Sequence, residues 1–445
     1  MIETTGPQKK WHTDSILFKI TIITTIILVL LIPSNWIQDL VVERDGYNQQ
    51  TMDQITQKWS GSQLIQGPVL AIPYRKQVTE TDGNNKMITH DVIEKAYILP
   101  QVLKIKALLK TQQFQQGITD VTIYNANVLL QGSFDMADFE KLGIDPAMVQ
   151  YEKAQLIFSL SDFKGLKNNP VVTIQGQAYN ADNVYDDDNP FGKALQAAFT
   201  LPKNGIIAFS YTVDIKGSND FRFLQTGKET DAEITSDWNS PVFTGNALPD
   251  SRSTTKAGFT ANWHLLNYNR PFPQQWLGND TSLTSKKAMD DATSGVELRL
   301  PIDQYRKVMR TTKYATLIII LTFVSLFFTE LIRKQNIHLF NYTLIGAAMV
   351  VYYTLLLSFA EQMGYNLAYL IASLATIGLI ASFTASLLNN RNAAILFAFI
   401  LTVFYGFIYV IIQLEDFSLM IGSIALFLII AALMYFSRKI NWDKH

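Results

Sequence analysis

The 445-residue chain balances 37 Lys and Arg against 38 Asp and Glu, for a net charge of −1, and 48% of its residues are hydrophobic. No basic excess exists to neutralise a polyanion, so the charge balance argues against a nucleic-acid partner. With no cysteine, disulfides, thiolate metal sites and a cysteine nucleophile are excluded, and the mean hydropathy of +0.10 directs attention to membrane spans.

In chain order, a short tail (1–15) with Lys9 and Lys10 precedes an apolar segment, 16–33. That segment ends in "LLIPSNWIQDL", which lacks the small-x-small pattern of a signal-peptide cleavage site. Trp36 suits a membrane interface, so the sequence predicts an uncleaved transmembrane anchor over 16–37. A polar block, 38–313, follows. Five further apolar segments, each about long enough to cross 30 Å of hydrocarbon, occupy 314–332, 339–360, 364–388, 393–412 and 417–436, and a basic tail closes the chain at 437–445.

The polar block reads as β-rich. "DVTIYNANVLLQGSFDM" (120–136), "NPVVTIQGQAY" (169–179), "NGIIAFSYTVDIKGSNDFRFL" (204–224), "KAGFTANWHL" (256–265) and "SGVELRLPI" (294–302) are rich in β-branched and aromatic residues. Several alternate apolar with polar, and Gly, Asn, Asp and Pro punctuate them, which predicts a sandwich or pair of antiparallel sheets. Helical signals are fewer: 44–60 as a continuation of the first span, a helical turn over 135–145 capped near Gly143, and a short helix over 190–199. The expected fold is therefore α+β: one N-terminal transmembrane helix, a large sandwich-like extracytoplasmic domain and a C-terminal bundle of five transmembrane helices.

Orientation follows from short-loop charge. Lys9, Lys10 and Lys19, then Arg333 and Lys334, then Arg391, then Arg438, Lys439 and Lys444 fall on one side. The opposite loops, "EQMG" and "QLED", hold no Lys or Arg, so both termini are expected in the cytoplasm and the polar block outside. The basic stretch "PIDQYRKVMRTTKYA" (301–315) then lies outside, as the rule permits beside a long translocated domain.

Ordered stretches along the chain carry a resemblance. They are "VVERDGY" (41–47), "GPVLAIP" (67–73), "SDWNSPVFTGNALP" (236–249), "GFTANW" (258–263), "PIDQYRKVMRTTKYA" (301–315), "FFTEL" (327–331), "SFAEQMGY" (358–365) and "YLIASL" (369–374). Together with the one-plus-five layout of spans, they make the chain resemble the CreD family of inner-membrane, cell-envelope-integrity (colicin-tolerance) proteins. The resemblance implies a bacterial inner-membrane protein linked to envelope integrity and to a two-component regulatory system. It implies no reaction and no cofactor.

Candidate residues follow from the chemistry. None of His12, His90, His264, His338 and His445 forms an H-E-x-x-H pair, and G-x-S-x-G, Walker A and G-x-G-x-x-G patterns are missing, so neither a catalytic centre nor a metal site is expected. Asp182, Asp186, Asp187 and Asp188 offer oxygen ligands for Ca²⁺, but their spacing is not that of an EF-hand and a solvated turn is favoured. Glu330 and Glu361 are the charges nearest the hydrocarbon of the five-span bundle; anchoring near interfacial water is favoured over a proton or cation relay.

Gly378 and Ser382, and Ala381 and Ala385, have the small-xxx-small spacing that permits close helix approach; packing within the bundle is favoured over a homodimer seam. Trp238, Pro241, Phe243 and Pro249 of "SDWNSPVFTGNALP" either form an exposed binding patch or plug a sandwich, with the core reading favoured, and Trp263 of "GFTANW" is a further candidate. Arg310, Lys313 and Tyr314 either meet lipid phosphates or, on a helix continuous with the second span, fix the tilt of the external domain.

The expected partners are the lipid bilayer and either an envelope protein or a second copy of the chain. The leading expectation for function is a non-enzymatic envelope protein. The alternatives are a transporter component using Glu330 and Glu361, and an enzyme on lipid or peptidoglycan with Asp303, Tyr305, Arg306 and Arg310 lining a cleft.

Overall fold

The computed structural model describes residues 16–81, 87–136, 139–185, 189–202, 205–278, 285–298, 304–333, 337–414 and 417–437. The chain divides into two compact units. Residues Gln50–Pro301 form a β unit; Met1–Gln49 and Ile302–His445 form a helical unit.

The first helix, α1 (Ile16–Trp59), runs 44 residues, so the expected continuation beyond the first span is present. Its last turns belong to the β unit, where Met52, Ile55 and Trp59 pack on Val121 and Ile123. The strands in chain order are β1 (Gln63–Thr81), β2 (Met87–Ile98), β3 (Val102–Gln116), β4 (Thr119–Phe134), β5 (Ala154–Leu160), β6 (Val171–Ile174), β7 (Gln177–Asn180), β8 (Asp182–Tyr185) and β9 (Lys193–Phe199). They continue with β10 (Ile207–Ser218), β11 (Asp220–Leu224), β12 (Glu229–Ser236), β13 (Val242–Gly245), β14 (Ser251–Thr255), β15 (Gly258–Leu266), β16 (Gln275–Leu277) and, after the short helix α2 (Lys286–Asp291), β17 (Thr293–Glu297).

Two sheets result. One has the order β14-β15-β12-β3-β4-β10-β6-β7. The other runs β13-β17-β11-β1-β5-β9-β8, with β2 paired to the outer part of β1 and β16 to β2. All pairs are antiparallel except β12 with β3 and β1 with β11. The sheets close on each other through aromatic pairs that bridge them: Phe158 of β5 stacks on Tyr211 of β10 at 4.5 Å, and Phe223 of β11 meets Trp263 of β15 edge-on at 5.7 Å.

Strand burial explains the sequence pattern. β10 and β12 alternate buried and outward residues along their length, the mark of a strand with one face on a core. The unbroken apolar run "GPVLAIP" of β1 is buried on both faces. Leu70 and Ile72 lie in the sandwich core, while Val69 and Ala71 lie in a second core with Tyr97, Phe272 and Trp276. Buried Arg270 holds the covering segment by donating to the carbonyls of Phe272 and Pro273 and to the Gln274 side chain.

One local expectation is corrected. Residues 190–199 do not form a helix: Lys193–Phe199 is β9, paired with β5 and β8, because Ala194, Leu195, Ala197 and Phe199 bury into cores on both sides of the strand. The turn expected over 135–145 and capped near Gly143 is present among the described residues: Gly143 takes φ +69, its N–H bonds the Glu140 carbonyl and the Ile144 N–H the Phe139 carbonyl, which closes it.

In the helical unit, α3 (Gln304–Lys313), α4 (Ala315–Arg333), α5 (Leu339–Met363), α6 (Tyr365–Leu388), α7 (Arg391–Gln413) and α8 (Ser418–Ser437) follow. Among the described residues, four helices are singly long and apolar enough to cross a membrane: α1, α5, α6 and α7. The pair α3 and α4 makes a fifth span, bent by 42°. In α8 the apolar stretch covers Met420–Ala431. The bend interrupts the helix that the tilt-fixing alternative for Arg310, Lys313 and Tyr314 supposed to run continuously into the second span. Thr311 and Thr312 hydroxyls bond back to the carbonyls of Lys307 and Met309, and the Tyr314 N–H takes the nearer Thr311 carbonyl, so the ladder breaks at Tyr314.

The other helix ends are capped locally. His338 Nδ1 accepts from the Phe340 N–H at the start of α5, and Asn390 accepts from Asn392 and Ala393 at the start of α7.

Candidate functional site: two buried carboxylates of the helical unit

α1 buries Ile23, Leu30, Ser34, Ile37 and Val41, a stripe repeating at near-heptad spacing along one face. Such a stripe seats a helix lengthwise against a bundle. The approach is close at Leu30, whose methyl would lie 2.2 Å from a Cβ placed on Gly346 of α5. Glycine is needed there by the neighbour, not by backbone conformation.

Near one end of that seam, Glu330 of α4 is 6% exposed. Lys19 of α1 donates to one of its oxygens and to the Ile337 carbonyl. Tyr342 of α5 donates to the other oxygen at 2.9 Å, and the Ile337 N–H reaches the carboxylate at 3.3 Å. Three groups, from α1, from α5 and from the segment before α5, thus satisfy one buried charge. The anchoring favoured for Glu330 comes from protein partners, and Lys19, within α1, is its counter-ion. The spacing of 311 residues between the two hid the pair from the sequence.

Toward the other end, Glu361 of α5 exposes 9% of its side chain. Arg44 of α1 lies 3.5 Å from it, and the Tyr305 hydroxyl of α3 donates to it at 3.1 Å. Arg44 and Tyr305 flank the β unit in the chain, one before Gln50 and one after Pro301. The two segments leading out of and back into the helical unit are therefore tied to one carboxylate.

α3 is further held along its length. Thr311 shares a hydroxyl bond with Tyr365 of α6 at 2.8 Å, Lys307 donates to Gln413 at 3.2 Å, and Arg310 donates to the Ile411 carbonyl of α7 at 3.4 Å. Tyr314 is half-buried against the bundle core, and Lys313 is exposed. Of the residues considered for a cleft with Tyr305, Arg306 and Arg310, Asp303 lies outside the described residues.

The bundle core between α5, α6 and α7 is tyrosine-rich. Tyr352 packs edge-on against Tyr405 at 4.9 Å and Tyr353 at 4.8 Å, and the Tyr369 hydroxyl donates to the Tyr405 carbonyl at 2.6 Å. The small residues of α6 divide. Ala372 and Ser373 face this core, but Gly378 and Ser382 are exposed and a Cβ on Gly378 would meet nothing within 4 Å. The expectation that Gly378 and Ser382 serve packing within the bundle is thereby corrected, because the inward face of α6 follows Ala368, Ala372, Thr376, Ile380 and Thr384.

In the β unit, the aromatic candidates lie in or against the sandwich core. Trp238 is buried, its ring N–H bonded to the Ser240 carbonyl; Trp263 is buried with its ring N–H on the Ala247 carbonyl; Phe243 packs edge-on against Phe259 and Trp263, each at 6.0 Å. Pro241, half-buried, leads into β13. The "TGN" that follows needs its glycine: Gly245 takes φ +98, and a Cβ there would sit 2.1 Å from the Thr293 carbonyl.

Metal-ligating side chains meet at one place among the described residues. Glu229 and Asp231 of β12 and His264 of β15 bring their donor atoms within 4.8 Å of one another. Asp231 and His264 are direct cross-strand partners, with Nδ1 2.7 Å from the carboxylate. That bond, with the Coulomb attraction of Asp231, Glu229 and Asp250, raises the His264 pKa. The sequence did not suggest this cluster, since strand register, not a short motif, assembles it. Of the acidic run considered for Ca²⁺, Asp186, Asp187 and Asp188 lie outside the described residues.

The family model described as "Inner membrane protein CreD" matches residues 15–443. The chain belongs to the CreD family. It is 26% identical over 435 residues to the Inner membrane protein CreD of Escherichia coli (strain K12), covering 96% of this chain and 93% of that relative. Among solved structures, two of an M1 zinc metallopeptidase from Deinococcus radiodurans share 5% and 6% identity, covering 49% of this chain and 54% and 53% of theirs. Their TM-scores are 0.21, too low to carry any argument about fold or function. Membership of the CreD family makes this an inner-membrane protein of the cell envelope in contact with lipid, with the apolar helices described above and a β-rich unit between them.

Proposed function

We propose that the chain is a non-enzymatic envelope protein, with both termini in the cytoplasm and the β unit in the periplasm. In this reading the β unit supports or senses the envelope, through an envelope protein partner or a second copy, and contributes to integrity or stress response. The observation that carries the reading is the convergence of Arg44 and Tyr305 on Glu361. A carboxylate charge-paired and hydrogen-bonded in this way, like Glu330 with Lys19 and Tyr342, serves as a clamp. Its charge is already compensated, so it is poorly suited to act as a general base or to relay ions. The same pairing counts against a transporter using these two residues.

The reading is tested by deleting the gene and challenging cells with detergents and cell-wall antibiotics. Survival should fall, recover with the wild-type chain and recover less with Glu361→Ala. Equal survival of deletion and wild type under every stress would overturn it. Orientation is tested separately, and the cysteine-free sequence makes the test clean. In cells with a permeabilised outer membrane, an impermeant maleimide should label Ser253→Cys and leave His445→Cys unlabelled; the opposite pattern would reverse the topology.

A further inference from the structure

We propose that the outward face of β12 and β15 is a binding site for a divalent transition-metal ion of the Zn²⁺ class, held by Glu229, Asp231 and Nδ1 of His264. The inference concerns the β unit alone and does not rest on the clamp reading of the helical unit.

The donors come from rigid elements. β12 is hydrogen-bonded along its whole length to β15 on one side and β3 on the other, so the positions of Glu229 and Asp231 are fixed by two ladders. Both residues point outward, two apart on one strand, while Thr230 and Ala232 between and beside them are buried. His264 is placed opposite Asp231 by register, and its backbone N–H is held by the Asp250 carboxylate at 2.6 Å. Asp250 also anchors its own segment by donating its N–H to the Asn262 carbonyl at 2.9 Å.

A groove passes two of the three donors: Asp231 and His264 line it together with Lys104, Glu233, Asp250 and Asn262, and Glu229 lies one outward position along β12 from Asp231. Three protein ligands leave coordination positions open to water or to a further ligand.

The donor types select the ion. Two carboxylate oxygens and one imidazole nitrogen suit Zn²⁺, Fe²⁺, Ni²⁺ and related ions; Ca²⁺ and Mg²⁺ prefer an all-oxygen set. Ligands about 2.1 Å from a tetrahedral ion stand roughly 3.4 Å apart. Exposed side chains spread within 4.8 Å reach that spacing by small rotations, with the 2.7 Å contact of His264 and Asp231 opening to admit the ion. The nearby lysines do not close the site. Lys106 lies 3.6 Å from the Glu233 carboxylate, and Lys104, opposite Asp231 across the parallel pair, is an exposed side chain free to swing aside.

The test uses the full-length chain in detergent, without a polyhistidine tag, at pH 7.5. Co²⁺ is titrated while its ligand-field absorption is recorded, and Zn²⁺ is then added as competitor. The wild type should take up one equivalent at this site, and Zn²⁺ should displace it. His264→Asn and Asp231→Asn should each weaken binding by roughly tenfold or more. His90→Asn, removing an exposed histidine on β2, should leave binding unchanged. Zn²⁺ should also raise the Tm of wild type and not that of His264→Asn. Metal-free Tm values and near-ultraviolet circular dichroism establish that the exposed-site variants are folded. Equal Co²⁺ affinity in wild type, His264→Asn and Asp231→Asn would overturn the proposal and leave a surface His–Asp pair only. Uptake seen solely at millimolar metal would do the same.

Discussion

The two units mark their interiors in opposite languages. In the β unit, water defines the outside, so apolar side chains point in: β10 buries Ile207, Phe209, Tyr211, Val213 and Ile215 at every second position. In the helical unit, the surface is itself apolar. Leu344, Val351, Leu367, Leu374, Leu379, Ile395 and Phe399 are exposed, while Glu330, Tyr342, Gly346, Tyr352, Ser373 and Thr376 are packed inside. Hydrophobicity therefore identifies the core of the first unit and the lipid-facing surface of the second. There, the inside is found by looking for small and polar residues.

Breaking one buried residue in each unit gives the largest contrast. Glu330→Ala removes the acceptor of buried Tyr342 and the counter-ion of partly buried Lys19 and should destabilise the helical unit by about 3–5 kcal/mol, read as the loss of Tm in detergent. Adding Lys19→Met should recover part of the loss, as removing an apolar side chain's partner never would. Trp263→Ala should cost the β unit a comparable amount, about 3–5 kcal/mol, through cavity formation, with no partner substitution able to restore it.

A smaller effect sharpens the seam of α1. Gly346→Val should cost about 1–3 kcal/mol, since the new side chain meets Leu30 and Phe323. A null result would place α1 farther from α5.

Smaller again is a pH effect confined to the β unit. Burial pushes the Asp162 carboxyl upward, but the N–H groups of Gly61 and Lys164 and the Ser60 hydroxyl outweigh it and hold the pKa below its ordinary value. A lowered folded-state pKa contributes stability that is fully present above the unfolded value near 4 and is lost as pH falls through the lower folded value. Asp162→Asn should therefore cost about 1 kcal/mol at pH 7. The gap to wild type should close below about pH 4, as measured by denaturation across pH.

The smallest effect tests the outer face of α6. Gly378→Leu should change stability by less than about 1 kcal/mol, in the stabilising direction, because a helix gains from losing glycine and nothing is there to clash. A marked loss of stability would show that this face is packed against a partner in the membrane.

Legibility in the sequence followed the same divide. Strand alternation exposed the β unit, and segment length exposed the apolar helices, because both are local properties. "KALQAAF" misled because its small and apolar residues face cores on both sides of β9, which erases the alternation. Glu330 and Glu361 stood out as charges in apolar surroundings. Their partners Lys19 and Arg44 did not, since both look like ordinary flanking cations until α1 is laid against the bundle. His264 was invisible as a ligand for a related reason: 33 residues separate it from Asp231, and only the pairing of β12 with β15 joins them.

The shared carboxylate also bears on engineering. Because Arg44 and Tyr305 reach the same Glu361 side chain, the chain departs from the helical unit and returns to it at neighbouring points. An insert with closely spaced ends is the form of domain that tolerates excision and replacement. Residues 50–301 should accordingly behave as a cassette. A short flexible linker in their place should leave a helical unit that still assembles, and a different folded domain with adjacent termini should be accepted there.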